Sequence, residues 1–143
     1  MSISISEAMR DAILDGSFNT GGGDDFDSGK LRMWTGSEPD VDAAPTGTLV
    51  VDIDLPATAF GAASSQSVAK AGTWEDTDTP GSGTALYFRI TEPTDDDGAT
   101  GSTYKRIQGS VGLGSGDIDL DNNVIAVGQT VTITAFTAAM PAS

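Results

Sequence analysis

The residues of this 143-residue chain best placed to do chemistry are carboxylates. Asp117, Asp119 and Asp121 alternate with Ile118 and Leu120 and lead into Asn122. Alternating oxygen ligands open an EF-hand calcium loop. The match then fails, because Asn122 stands where that loop needs glycine and Gly128 where it needs glutamate. On a strand the same three side chains simply point outward together, which is the plainer reading. Asp95, Asp96 and Asp97 before Gly98, and Asp24, Asp25 and Asp27, form two further clusters in loop-like sequence. Calcium or magnesium accepts such ligands, but Asp-Gly is also ordinary turn chemistry and acidic loop tips read as solvated. Asp52 and Asp54 share one face of an alternating stretch. Paired carboxylates can cleave glycosides as acid and base, yet two Trp, two Tyr and five Phe offer few sugar platforms. No cofactor is expected; calcium at Asp117, Asp119 and Asp121 is the one alternative.

Composition removes most other chemistry. With no cysteine there are no disulfides, thiolate nucleophiles or cysteine metal sites. With no histidine the Ser-His-Asp triad, the usual zinc sites and the commonest general base are gone. Gly112-Leu113-Gly114-Ser115-Gly116 lacks the Lys-Ser/Thr ending of a phosphate-binding loop and no helical pattern follows it, so it reads as a strand connection. An enzyme is therefore not expected. A formal charge of −14 argues against nucleic acid, which needs clustered Lys and Arg, and against an anionic membrane. The start, Met-Ser-Ile-Ser-Ile-Ser-Glu, has neither a basic region nor an apolar run of signal-peptide length, so synthesis in the cytoplasm is expected.

The elements that position these groups follow from periodicity. Ser4 and Glu7 fit a capping box. Ile5, Ala8, Met9, Ala12 and Ile13 then form one apolar stripe at helical spacing, and Gly16 is a natural stop. So short a helix must dock on something. Residues 16–29 are rich in Gly, Asp and Ser and read as a loop. From residue 30 the period becomes strand-like. Leu31 and Met33 alternate with Lys30, Arg32 and Trp34; Leu49, Val51, Ile53 and Leu55 alternate with Val50, Asp52 and Asp54. Residues 68–74 suggest a short strand. Residues 84–91 place Leu86, Phe88 and Ile90 on one face and Tyr87 and Arg89 on the other. Ile107 and Val111, then Ile118 and Leu120, then Val131, Ile133 and Ala135 mark three more inward sets. Phe136 breaks the last alternation, which predicts a bulge or an exit from the sheet. The reading is an all-β domain, a β-sandwich or compact β-barrel with one short N-terminal helix. Residues 1–28 form a helix and Gly/Asp-rich loop, a docking arm; residues 29–143 form the β domain.

The few cations are unevenly placed. Lys30, Arg32, Arg89, Lys105 and Arg106 fall on three predicted strands. They make either one basic patch or, as the favoured reading, cross-strand partners for the Asp faces.

Three stretches, GKLRMWTGSEPD at 29–40, GTLVVDIDLPATAFGAASSQSVAKAG at 47–72 and GSVGLGSGDIDLDNNVIAVGQTVTITAFTAAMP at 109–141, together resemble small virion-associated proteins of tailed bacteriophages and prophages, of the head-decoration kind. The motifs are structural: a strand ending in a Thr-Gly turn, a Pro-Ala-Phe-Gly-Ala corner and a Gly-Gln-Thr-Val-Thr strand. The resemblance implies a virion location and a capsid decoration or cement role. Its expected partners are the major capsid protein and further copies of itself in a homo-oligomer. It carries over no catalytic residue. The expected contacts are Ile5, Met9 and Ile13 of the helix stripe and Lys30, Arg32 and Trp34 of the first strand face. A tail, neck or fibre adaptor is the nearest alternative. A carbohydrate-binding adhesion module is another; it requires Trp34, Trp74, Tyr87 or Tyr104 exposed on one platform.

Overall fold

The structure is a computed structural model that describes residues 6, 13, 14, 16, 26–99 and 104–139. It is all-β. Five strands form the main sheet: β1 (Lys30–Trp34), β2 (Leu49–Asp54), β6 (Tyr87–Thr91), β7 (Arg106–Gly112) and β8 (Ile118–Asp119). Their spatial order is β2-β1-β6-β7-β8. The remaining strands pair in twos: β4 (Trp74–Asp76) with β10 (Val131–Ile133), β3 (Ser67–Ala69) with β11 (Thr137–Ala139), and β5 (Gly83–Thr84) with β9 (Val124–Ile125).

Register explains which face is apolar. Leu31 lies opposite Ile53 and Ile90, and Met33 opposite Val51 and Phe88. Directly opposite residues share a face, so these six side chains form one continuous apolar surface. All are buried. Phe60, Val68, Trp74, Val131, Ile133 and Phe136 complete the same core. Phe136 meets Phe88 edge-on at 5.7 Å, and Phe60 meets Trp74 likewise at 5.3 Å, so an aromatic cluster ties the main sheet to the smaller pairs. Fully burying each large side chain is worth about 1.5–3 kcal/mol. Gly109 lies opposite Phe88; a Cβ there would sit 2.9 Å from the Phe88 ring. That glycine makes room for the aromatic cluster.

The sheet curls beyond β2. The Asp76 carboxylate of β4 accepts a hydrogen bond from the Asp52 amide of β2 at 2.8 Å. It thereby satisfies part of an edge that no strand among the described residues pairs with. The layer thus runs β8-β7-β6-β1-β2 and on, through Asp76, to β4 and β10, as a half-barrel.

Several expectations need correction. Residues 84–91 are two strands, because the chain bends at Ala85 and Leu86 to leave the β5–β9 pair and join β6. Leu86 is therefore exposed, while Phe88 and Ile90 point inward as read. Residues 68–74 divide between β3 and β4. Ala135 is exposed because the chain leaves β10 there and forms β11 beside β3; the exit signalled at Phe136 is real. No helix is delimited among the described residues. Ile13, Leu14 and Gly16 have helical backbone. Leu14, outside the stripe read from sequence, packs in the core at 5% exposure, whereas Ile13 is 38% exposed. Ile5, Met9 and the capping pair lie outside the described residues. Leu14 and Phe26 share the core of residues 29–139, so this part of the arm packs on the body.

Candidate functional site

The outer face of the main sheet carries the chain's concentrated charge. Lys30, Arg32 and Trp34 of β1 stand beside Asp52 and Asp54 of β2 and beside Tyr87, Arg89 and Thr91 of β6, with Arg106 and Gln108 of β7 beyond. Simple alternation places them all on one face. Arg32 lies directly opposite Arg89. Like charges in that position repel, so something must lie between them.

Asp97 supplies it. Its Oδ1 accepts from Arg89 Nη1 at 2.8 Å and its Oδ2 lies 3.4 Å from Arg32 Nη1. Asp97 holds φ at +58°, a left-handed conformation that Asp and Asn tolerate better than most residues. That turn is fixed by Asp95, whose Oδ1 accepts the Asp97 amide at 2.8 Å. Asp95 in turn takes a two-pronged bond from Arg106, Nε at 2.6 Å and Nη2 at 2.8 Å. These two side chains are 1% and 0% exposed. The bond to Asp95, together with its negative charge, raises the Arg106 guanidinium further above its already high pKa, against the opposing cost of burial. Forked Arg–carboxylate pairs of this kind fix orientation as well as charge.

The same arginines hold a second loop, residues 36–47. Arg106 Nη1 donates to the Val41 carbonyl at 3.1 Å. Gln108 Nε2 donates to the Pro39 carbonyl at 2.6 Å, and its Oε1 accepts from Arg89 Nε at 2.9 Å and Nη2 at 2.6 Å. Farther along, Tyr87 donates to the Thr46 carbonyl at 3.1 Å and accepts the Thr46 amide at 2.8 Å. Trp34 stacks on Tyr87 with centroids 5.3 Å apart, and the Arg89 guanidinium lies 5.9 Å from the Trp34 ring centre. Two loops are thus clamped over a polar inner layer on the outer face of the sheet.

This settles where the expected contact residues lie. Lys30 pairs with Asp54 and stands 3.7 Å from Asp52; Arg32 Nε stands 3.3 Å from Asp52. Lys105 Nζ stands 4.0 Å from Glu92. The cations are cross-strand and loop partners of carboxylates, as favoured from sequence. Trp34 is a correction: it is 4% exposed, its ring stacked on Tyr87 and beside the Arg89 guanidinium, and offers a partner no surface. Trp74 and Tyr87 are fully buried too, so the aromatic platform of an adhesion module does not form from them. Asp95 and Asp97 are a second correction; read as solvated tips, they are buried because three guanidinium groups lie beneath them.

The remaining candidates sit at the other end of the sheet, where β8 runs parallel to β7 with Val111 opposite Ile118. A parallel pair ordinarily needs a long crossover. Here residues 113–117 suffice because Gly112 and Gly116 nearly touch: a Cβ on Gly116 would lie 2.4 Å from the Gly112 nitrogen. Asp119 closes the loop by accepting the Gly116 and Gly114 amides, both at 2.9 Å. Those bonds hold its carboxyl below the ordinary carboxylate range. The amides that a phosphate cradle would use are therefore taken by the chain's own carboxylate. Asp117 Oδ2 accepts from the Ser110 amide at 2.9 Å and from its hydroxyl at 3.1 Å. Asp121 is exposed. Among the described residues no three acidic side chains gather as a metal-holding group. No described helix is long and apolar enough to cross a membrane.

Sequence reasoning missed the Asp95–Asp97 clamp. Its signal was present as an arginine inside an otherwise apolar strand, Phe88-Arg89-Ile90, followed at once by an acidic loop. No family model, curated protein or solved structure matches the chain.

Proposed function

We propose that this protein is a structural component of a tailed-bacteriophage virion, a decoration or cement protein that binds the major capsid protein and stabilises the head by contact alone. The observation that carries the reading is the resemblance of residues 29–40, 47–72 and 109–141 to small virion-associated proteins. Those stretches form β1, β2, β3 and most of β7 to β11, along with part of the clamped 36–47 loop. They are structural positions, as expected of a protein that works through surface shape.

The clamp agrees with this role. It charges the sheet's outer face internally, uses arginines to hold loops, and leaves an acidic exterior. A net charge of −14 keeps free copies apart and soluble before assembly. On a capsid, a homo-oligomer would bridge neighbouring subunits and bury surface across their joints, reinforcing the shell against packaged DNA.

The test is copy number, by quantitative mass spectrometry of purified virions against the major capsid protein. Hundreds of copies, tracking the capsid subunit, are expected. A few copies per particle would replace the cement role with a neck, tail or fibre role, and absence from the particle would overturn the virion reading.

A further inference from the structure

We infer that the open seam of the half-barrel, between β8 and the β10–β11 segment, is a docking site for an extended cationic segment of another protein, added as a strand. This goes beyond the virion reading and stands without it. From β8 through β7, β6 and β1 to β2 the layer is hydrogen-bonded strand to strand. Asp76 then links β2 to β4, which pairs with β10. One junction is left, β10 to β8, and among the described residues no strand pairing closes it. A groove of about 590 Å³ lies there, between residues 117–121 and residues 134–137. Its floor includes Leu120 and Phe136, each 8% exposed. Among the described residues, the backbone of the β8 wall is bonded toward β7 and that of Phe136 and Thr137 toward β3, and neither wall is bonded to the other across the groove; strand addition uses such an opening, the backbone supplying affinity and alternate side chains specificity.

Charge identifies the occupant. Asp117, Asp119 and Asp121 recur at every second residue along one wall, and the residues facing them, 134–137, are uncharged. Among the described residues no Lys or Arg lines the groove. An incoming strand presents alternate side chains at the same period of two, so Lys or Arg at every second position matches that wall. A second copy is a poor match for this wall, because its Lys30, Arg32, Arg89 and Arg106 already pair with its own carboxylates. The seam therefore suits a basic, extended protein segment rather than self-association.

The experiment titrates the full 143-residue chain with a synthetic eight-residue peptide alternating Lys with Val and Thr, read by amide chemical shifts and hydrogen exchange. Controls are the same peptide with Glu for Lys, and one of unchanged charge with prolines at the strand-pairing positions. The expected result is shift changes confined to 117–121 and 134–137, with slowed exchange of amides there. Binding should be at least tenfold weaker for both control peptides. Asp121→Arg should weaken the Lys peptide at least tenfold. Asp42→Arg, an equal charge change on the 36–47 loop, should leave it within twofold. Four results would overturn the proposal: equal loss in the two variants, equal binding of the prolyl peptide, seam amides already protected in the free protein, or a dimer whose interface is the seam.

Discussion

Replacing Asp97 by asparagine isolates the electrostatic part of the loop clamp. Asn tolerates the left-handed turn about as well as Asp, so the backbone strain at φ +58° does not change. What changes is the charge between Arg32 and Arg89, which face each other across β1 and β6. Arg89 is fully buried and Asp97 is 6% exposed. Removing one partner of a buried pair costs about 3–5 kcal/mol. Arg89 keeps Gln108 and Arg32 keeps Asp52, so the low end, about 3 kcal/mol, is expected. For a chain of this length that lowers the melting temperature by roughly 10 °C. Urea unfolding followed by tryptophan fluorescence measures it, with an unchanged slope on denaturant showing that the unfolded state is unaffected. Adding Arg32→Met to Asp97→Asn removes the uncompensated repulsion and should restore about 0.5–1 kcal/mol. If Asp97→Asn alters stability by less than about 0.5 kcal/mol, or if Arg32→Met only adds a further loss, the reasoning fails.

Two other consequences are as direct. Tyr87→Phe removes both hydrogen bonds to Thr46; it should cost about 1 kcal/mol and speed amide exchange at Thr46 while leaving Val51 and Ile53 unchanged, and uniform exchange would mean the tyrosine does not hold the loop. Asp119 should titrate below the ordinary carboxylate range, because the Gly116 and Gly114 amides favour its charged form. Its native pKa is depressed, so the stabilisation it confers is present at neutral pH and is lost as pH falls through that native value. A carboxyl-carbon NMR titration, with the Gly114 and Gly116 amide shifts moving at the same midpoint, checks this; an ordinary midpoint would show the loop closure to be absent in solution.

Much of the fold is legible in the chain because period-two alternation is local. Leu31 and Met33, Val51 and Ile53, and Phe88 and Ile90 announce their faces within their own strands, and each is buried as expected. The break at Phe136 was legible for the same reason. Leu86 was not, because its exposure follows from a bend that hands the chain from β9 to β1 as partner. The short span of β8 beside β7 also depends on long-range geometry, since local sequence gives no sign that Gly112 and Gly116 will nearly touch.

The sequence by itself determined the β class, the alternating faces, the lack of histidine and cysteine chemistry and the acidic charge, because each depends only on residue type and near neighbours. Tertiary structure alone decided what lies on the far side of each face. Arg89 and Tyr87 alternate outward from the core, and in isolation that means solvent. They are buried because two loops close over them: the acidic loop after β6, where Asp95 and Asp97 meet Arg106, Arg89 and Arg32 from three strands, and the distant 36–47 loop, whose backbone Arg106, Gln108 and Tyr87 hold. Burial is a property of what the rest of the chain brings to a side chain, and strand register, which sets that meeting, is fixed only when the strands pair.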